Sequence, residues 1–332
     1  MRMDIMEQLR QKAMANPRIV VLPEAHEKRI LLAACQVRNM NIASPVLVGE
    51  PATIADLAQR LDISLDGLSL VDHTDEARID ALTTQFTREN SDFPASAIRR
   101  RLRKPLHFGA MMVKCGQADF MVAGLSHTTG EVIMASQMII GLEKDISTVS
   151  SMGIMSIPGY EGAEGNLLAI ADCAVCPAPD PTELADIAIS TADTVIRLLG
   201  WQPRIALLSF STKGSASHER VDQVLKGLEQ VRMRRPDLLI DGELQLDSAI
   251  DPEVAARKMN QESPVAGRAN ILIFPDLNAG NIGVKLVQQF AGATAYGPLL
   301  QGFAKPVSDL SRGAPVEEIV GAIIMAGVCA RD

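Results

Sequence analysis

Short apolar runs bounded by turn residues recur along the chain, and between them apolar residues repeat at helical spacing. Arg18-Ile-Val-Val-Leu22 halts at Pro23-Glu24, a helical period follows over 26–40, and Pro45-Val-Leu-Val-Gly49 is the next apolar run. Continuous apolar runs of this kind are the mark of strands buried on both faces. The same pattern predicts helices over 4–15, 51–61, 75–89, 94–103 and 106–116, with strands over 68–71 and at Met121-Val-Ala-Gly124. Farther on, strands are predicted within 147–157 and over 167–172, 204–210, 238–240 and 269–275. Helices are predicted from Asp180-Pro-Thr-Glu183 to about Leu199, over 218–234 and over 282–291. An apolar run that stops at Gly297-Pro298 precedes a final helix, which Pro315 opens and whose one face carries Val316, Ile319, Val320, Ile323, Ile324 and Val328. Strand and helix trading places at this spacing predict an α/β fold with mainly parallel sheets.

In such sheets ligands lie beyond the carboxyl ends of the strands, so the loops there carry the candidate chemistry. Leu125-Ser-His-Thr-Thr-Gly130 offers hydroxyls, an imidazole and a glycine ahead of a helix. Ser211-Thr-Lys-Gly-Ser-Ala-Ser217 offers four hydroxyls around Lys213 and Gly214. Ser311-Arg312-Gly313 stands just before the last helix, where free backbone N–H groups, the helix dipole and a forked guanidinium all favour an anion. The same five residues, Asp309 to Gly313, read equally well as a turn that merely caps a core helix.

Composition narrows the choice. At 332 residues the chain is long for one core, so two lobes are expected. A net charge of −8 and only 3 % aromatic residues argue against nucleic acid or an anionic membrane as partner. Any anion site must be local. Five scattered cysteines imply no disulfide framework and fit a reducing compartment; Cys173-Ala-Val-Cys176 has the spacing of half a zinc site, but no second pair or His doublet accompanies it. The opening Met-Arg-Met-Asp leads into an amphipathic stretch without a signal-peptide core, no run is long enough to span a bilayer, and a cytoplasmic location is expected. The dinucleotide-binding, phosphate-loop and nucleophile-elbow glycine motifs are all missing. What remains suits a phosphorylated small molecule held by backbone and hydroxyl donors.

Several segments then make a specific likeness: Ile19-Val-Val-Leu-Pro-Glu24, His127-Thr-Thr-Gly130, Leu208-Ser-Phe-Ser211, Asp241-Gly-Glu-Leu-Gln-Leu-Asp247, Phe274-Pro-Asp-Leu277 with Gly280-Asn-Ile-Gly283, and Asp309-Leu-Ser-Arg-Gly313. In that order and over nearly the whole chain, the sequence resembles the phosphate acetyltransferase (phosphotransacetylase) family in its short, single-module form. The resemblance implies two α/β lobes of the isocitrate/isopropylmalate dehydrogenase kind with an active-site cleft between them. A discontinuous first lobe would take 1–144 plus 301–332, and a second, dimer-forming lobe 145–300. It implies reversible acetyl transfer between acetyl-CoA and inorganic phosphate, giving acetyl phosphate, by direct thiolate attack in a ternary complex. Coenzyme A would be a substrate, and neither metal nor bound organic cofactor is expected.

The resemblance also carries residue roles. Arg312 would bind phosphoryl oxygens, Ser311 would donate to the carbonyl oxygen or sulfur, and Arg88 would contact coenzyme A. His127, Thr128, Thr129, Gly130, Ser211 and Asn281 would line the substrate site. Two positions depart from the family pattern. Met134 stands where an arginine is usual, and methionine cannot pair with phosphate. Glu318 stands where the proposed base is commonly aspartate; the extra methylene displaces the carboxylate by roughly 1 Å, enough to cost about a hundredfold in rate. A non-catalytic module binding acetyl-CoA or acetyl phosphate, and an acyltransferase preferring propionyl or butyryl groups, remain alternatives.

Overall fold

The computed structural model describes residues 4–330; the first three residues, which open the stretch read above as lacking a signal peptide, and the last two lie outside it. The chain breaks into two compact units between Glu143 and Lys144 and again between Gly302 and Phe303, the outer segments together forming one unit.

The first unit is built on five strands: β1 (Arg18–Leu22), β2 (Ala43–Val48), β3 (Ser69–Val71), β4 (Phe120–Ala123) and, from the far end of the chain, a strand at Val307–Asp309. The last follows six strands of the second unit: β5 (Ser150–Ser156), β6 (Leu167–Ala171), β7 (Arg204–Leu208), β8 (Leu239–Leu244), β9 (Ile271–Ile273) and β10 (Thr294–Gln301); it is therefore β11. The first sheet runs β11-β4-β1-β2-β3 with every pair parallel. Val21, Leu22 and all of β4 are buried, because helices cover both faces. Helix Pro105–Lys114 is submerged along most of its length, with Phe108, Ala110, Met111 and Val113 fully buried. A Cβ at its Gly109 would meet Pro23, Val21 and Met121 at 3.2–3.5 Å, so glycine lets that helix lie close on β1 and β4. Helix Val316–Cys329 also packs on β4, and its Gly327 faces the Phe120 ring.

The second sheet runs β10-β5-β6-β9-β7-β8; the β10–β5 and β5–β6 pairs are antiparallel and the others parallel. Helix Pro181–Leu199 obeys both of its sequence signals, a capping box between Asp180 and Glu183 and a left-handed Gly200 at its end.

Four departures from the sequence reading have local causes. Helix Leu277–Ala291 starts five residues before the predicted 282, because Asp276 accepts from the Ala279 N–H and caps it there. Strand β10 continues through Gly297-Pro298 instead of stopping, with an irregular register between Tyr296 and Leu299. Proline is tolerated on this strand because it lies at the sheet edge. Two short helices, Leu246–Ile250 and Pro252–Lys258, occupy a segment for which no element was predicted; Asp251 caps the second of them. Strand β11 is three residues long and gave no periodic signal.

Candidate active site

Strands β1, β4 and β11 are parallel neighbours, so the segments that leave them emerge together at one edge of the first sheet. After β1 comes Glu24, whose side chain has no exposure at all. Its Oε2 accepts from the backbone N–H groups of Gly124 and Leu125, both at 2.9 Å. Its Oε1 accepts from the Ser126 N–H and hydroxyl and meets His127 Nδ1, all at 2.8 Å. Burial pushes this carboxyl upward, but the donors led by His127 and Ser126 outweigh it and hold the group at about 2. The loop after β4 is thus wrapped around one buried anion that follows β1. Gly124, at φ +128°, permits the wrap, since a Cβ there would strike the Leu310 backbone and Asp309 Oδ1.

The bond from Glu24 also raises the His127 imidazole above its ordinary range, against the effect of burial. Thr128 caps helix Thr129–Ile139 in a reciprocal pair with Glu131. Thr129 Oγ1 donates to Asp309 Oδ2 at 2.5 Å and ties the loop after β4 to the end of β11. Burial raises the Asp309 carboxyl, Thr129 opposes the rise, and Oδ1 is buried without a hydrogen-bond partner among the described residues.

Beyond β11, Ser311, Arg312 and Gly313 are exposed. The Arg29 guanidinium donates to the carbonyls of Arg312 (3.0 Å) and Ala314 (2.8 Å), and the Ala314 N–H closes the turn onto Ser311 O at 2.9 Å. No side chain caps the following helix, so its first-turn N–H groups stay free for a ligand; Glu317 and Glu318 lie exposed in that turn.

A cavity of about 640 Å³ opens beside this edge, with Arg101, Lys104, His107, His127, Glu131 and Met134 in its walls and Leu106, Ala135 and Met138 adding apolar surface. Met134 is 67 % exposed and belongs to this wall. Among the described residues neither Arg101 nor Lys104 is paired with a carboxylate. Burial, then the charges of Lys104 and Arg101, push His107 down to about 4, so it is a neutral imidazole in a cationic pocket.

The first unit therefore gathers His127, Thr128, Thr129, Gly130, Ser311, Arg312 and Glu318 at one sheet edge. Arg88 belongs to the same unit but lies exposed in the last turn of helix Glu76–Glu89, outside the cavity wall. In the second unit Ser211 has no exposure; its hydroxyl donates to Glu243 at 2.8 Å and accepts from the Ala216 N–H. Ser211 thus holds the 211–217 loop from behind. Lys213 in that loop donates to Asp241 Oδ1 at 2.5 Å. Asn281 is exposed and donates to the Cys173 carbonyl at 3.1 Å. Burial raises the thiols of Cys173 and Cys176 to about 12 and about 11, so neither is a thiolate near neutral pH.

One family model, that of phosphate acetyl/butaryl transferases, matches the chain over residues 4–327. The chain belongs to this family. The phosphate acetyltransferase of Clostridium acetobutylicum is 43 % identical over 331 residues, covering 99 % of each chain. That of Thermoanaerobacterium thermosaccharolyticum is 44 % identical, covering 99 % of this chain and all of the relative. Among solved structures, a phosphotransacetylase from Streptococcus pyogenes superposes with a TM-score of 0.90 at 35 % identity, covering 98 % of this chain and 97 % of the other. As a member of this family the chain is an acyltransferase.

Sequence reasoning passed over Arg29, Arg101, Lys104 and His107, and gave Glu24 and Asp309 no role of their own within the segments that carry them. Glu24 did stand out as a carboxylate directly after a buried strand. Arg101 and Lys104 lie in Arg99-Arg100-Arg101-Leu102-Arg103-Lys104, five cations in six residues. Such a run reads as a solvated helix face, and Arg99 and Arg103 are spent on Glu76.

Proposed function

We propose that this chain is a phosphate acetyltransferase, moving an acetyl group reversibly between coenzyme A and inorganic phosphate. The observation that carries the reading is the pairing, on one sheet edge, of the Arg29-braced Ser311–Arg312 turn with the Glu24-anchored 124–130 loop. Arg312 takes phosphoryl oxygens and Ser311 donates to the carbonyl oxygen or sulfur as charge develops there. Thr128, Thr129 and Gly130 present the start of a capped helix to the same anion. Glu318 offers a carboxylate in the first turn after Arg312 as a candidate proton acceptor. Arg101 and Lys104 supply the positive charge that the family pattern would place at Met134, since all three share one cavity wall. Arg88 serves coenzyme A from an exposed position. Coenzyme A is substrate, and no resident cofactor enters the scheme.

Catalysis here asks chiefly for position. A thiol held in line with an acyl phosphate gains most of its rate from orientation, and a fixed cation at the phosphoryl oxygens adds the rest. Met134, Met138, Leu106 and Ala135 give the cavity an apolar side, which favours a second reading with a somewhat longer acyl chain, propionyl or butyryl. We further read the protein as a cytoplasmic homodimer. Ile282, Leu286 and Phe290, one helical stripe of Leu277–Ala291, are 56 %, 50 % and 86 % exposed, which suits a face covered by a second copy. All five cysteines are free thiols, as a reducing compartment allows, and among the described residues no helix is long and apolar enough to cross a membrane.

The test is phosphate- or arsenate-dependent release of free thiol from acetyl-, propionyl- and butyryl-CoA, with Arg312→Ala alongside. Turnover that falls about 10²–10³-fold in the variant is expected, the cost of one transition-state donor. Binding of acetyl-CoA without turnover on any of the three would refute the enzyme and leave a non-catalytic module.

A further inference from the structure

We propose that His127 is the group that takes the thiol proton, with Glu24 as the positioning residue that orients it; this rests on the acyl-transfer reading above. Two groups on the edge have the chemistry, His127 and Glu318, and they differ in what surrounds them. Glu318 is exposed on the helix surface and the structure gives it no partner that would fix its direction. His127 is fixed from behind. Every other contact of the Glu24 carboxylate is with a donor: three backbone N–H groups and the Ser126 hydroxyl. Glu24 carries no proton to give, so the 2.8 Å contact with His127 needs the hydrogen on Nδ1. The tautomer is thereby set. In the neutral ring the free lone pair is then on Nε2, and no described residue occupies that atom.

The same ring lines the 640 Å³ cavity, and its side chain keeps 27 % exposure while Glu24 has none. A buried carboxylate, an imidazole locked by it and an Nε2 without a partner among the described residues, on a ring that lines the cavity, make an acid–base pair of the kind that activates nucleophiles. The charges facing the ring are mixed. Glu24 and Glu131 favour its protonated form, and burial and Lys104 oppose it, with neutral His107 and the Arg101 cation on the cavity wall beyond. The balance lies on the side of protonation, so the imidazole is a stronger base than an ordinary histidine.

The step balances. In the direction of acyl-CoA formation the coenzyme A S–H bond breaks, its proton goes to His127 Nε2, and the sulfur pair forms the C–S bond at the acetyl carbonyl. The carbon–oxygen bond to phosphate breaks and its electron pair leaves on phosphate, which collects the proton from His127. The reverse direction uses the same proton in the opposite order. Glu24 stays ionised throughout, since its five contacts are all built for the anion.

The experiment is the pH dependence of kcat and KM for coenzyme A with acetyl phosphate, on wild type, His127→Gln, Glu24→Gln and Glu318→Gln, each checked for folding by circular dichroism. Wild type is expected to gain activity with pH through a limb above the ordinary histidine value. His127→Gln loses about 10²–10⁴-fold in kcat, keeps KM, and loses the limb. Glu24→Gln moves the limb to lower pH, an effect that a purely structural glutamate would not have; if His127→Gln does not fold, this shift decides. The proposal is overturned if His127→Gln keeps both kcat and the limb, if the limb vanishes in Glu318→Gln instead, or if wild-type activity falls as pH rises through that range. Wild-type protein that binds coenzyme A but never turns over refutes the acyl-transfer reading and the role with it; turnover indifferent to His127 refutes the role alone.

Discussion

Replacing Glu24 by glutamine keeps the shape of the side chain and removes its charge, and the donors around it fix the response. The carboxylate accepts from four donors outside His127, and an amide oxygen can keep only the pair from Gly124 and Leu125. Its NH₂ then faces the Ser126 N–H, donor against donor, at a fully buried position. The size of the effect comes from the ionisation of Glu24, lowered from 4.5 to about 2 in the folded protein. A lowering of that size corresponds to roughly 3 kcal/mol of preference for the anion. The sign is that of a lowered carboxyl. The stabilisation is complete above the unfolded value near 4.5 and drains away as pH falls from there toward 2. Thermal unfolding at pH 7 should therefore show Glu24→Gln lower than wild type by roughly 6–12 °C, at about 2–4 °C per kcal/mol for a unit of this size. The gap should narrow by roughly half on titration from pH 5 to pH 3, as wild type loses part of its advantage, and close only as the pH reaches about 2. Amide exchange at Gly124, Leu125 and Ser126 should quicken in the variant at pH 7. A gap of under 2 °C at pH 7, or one that stays constant down to pH 3, would refute the account of Glu24 as a buried, donor-saturated anion.

Three further outcomes rest on the same geometry. Replacing both Arg101 and Lys104 by alanine removes the nearest cations from His107, so its pKa, held at about 4, should rise while burial keeps it below 6.5; an NMR titration reads this, and KM for phosphate should rise at least tenfold if the two serve the anion. Thr129→Val deletes the side-chain donor to Asp309 Oδ2, whose Oδ1 already lacks a partner among the described residues; a loss of about 1–3 kcal/mol in denaturant unfolding is expected, largest at high pH where Asp309 must be ionised. Phe290→Glu, on the stripe with Ile282 and Leu286, should lower the sedimentation coefficient to that of a single chain, whereas an unchanged coefficient removes that face as the dimer contact.

The parts of the fold legible from sequence are those with a repeated local signal. Arg18–Leu22, Leu167–Ala171 and Arg204–Leu208 are unbroken apolar runs, and helix Pro181–Leu199 carries its start and stop in Asp180, Pro181, Glu183 and Gly200. Strand β11 was invisible because three residues hold no period and its place is set by β4, far away in the chain. The candidate site divides in the same way. Thr128, Thr129, Ser311 and Arg312 are marked by their position before helices, which is local. Glu24 and His127 lie about a hundred residues apart, and no spacing rule links them; only the adjacency of β1 and β4 does. Ser211 was assigned to the substrate site through the resemblance; that its hydroxyl turns inward to Glu243 is a choice made by burial that sequence pattern does not encode.

The placing of β11 has a consequence for how the protein is made. Roughly 160 residues of the second unit are synthesised between the end of helix Thr129–Ile139 and the strand that finishes the first sheet. At about 5–20 residues per second, the opening half of the first unit waits on the order of 10–30 s with the flank of β4 unpaired. Unfinished strand flanks invite pairing with other chains, so this interval is the period of greatest aggregation hazard. The residues that close the flank also bring the Ser311–Arg312 turn with them. A nascent or prematurely terminated chain can therefore complete the second unit and still lack the Ser311–Arg312 turn; on the roles proposed for these residues, catalytic competence arrives only with the final segment.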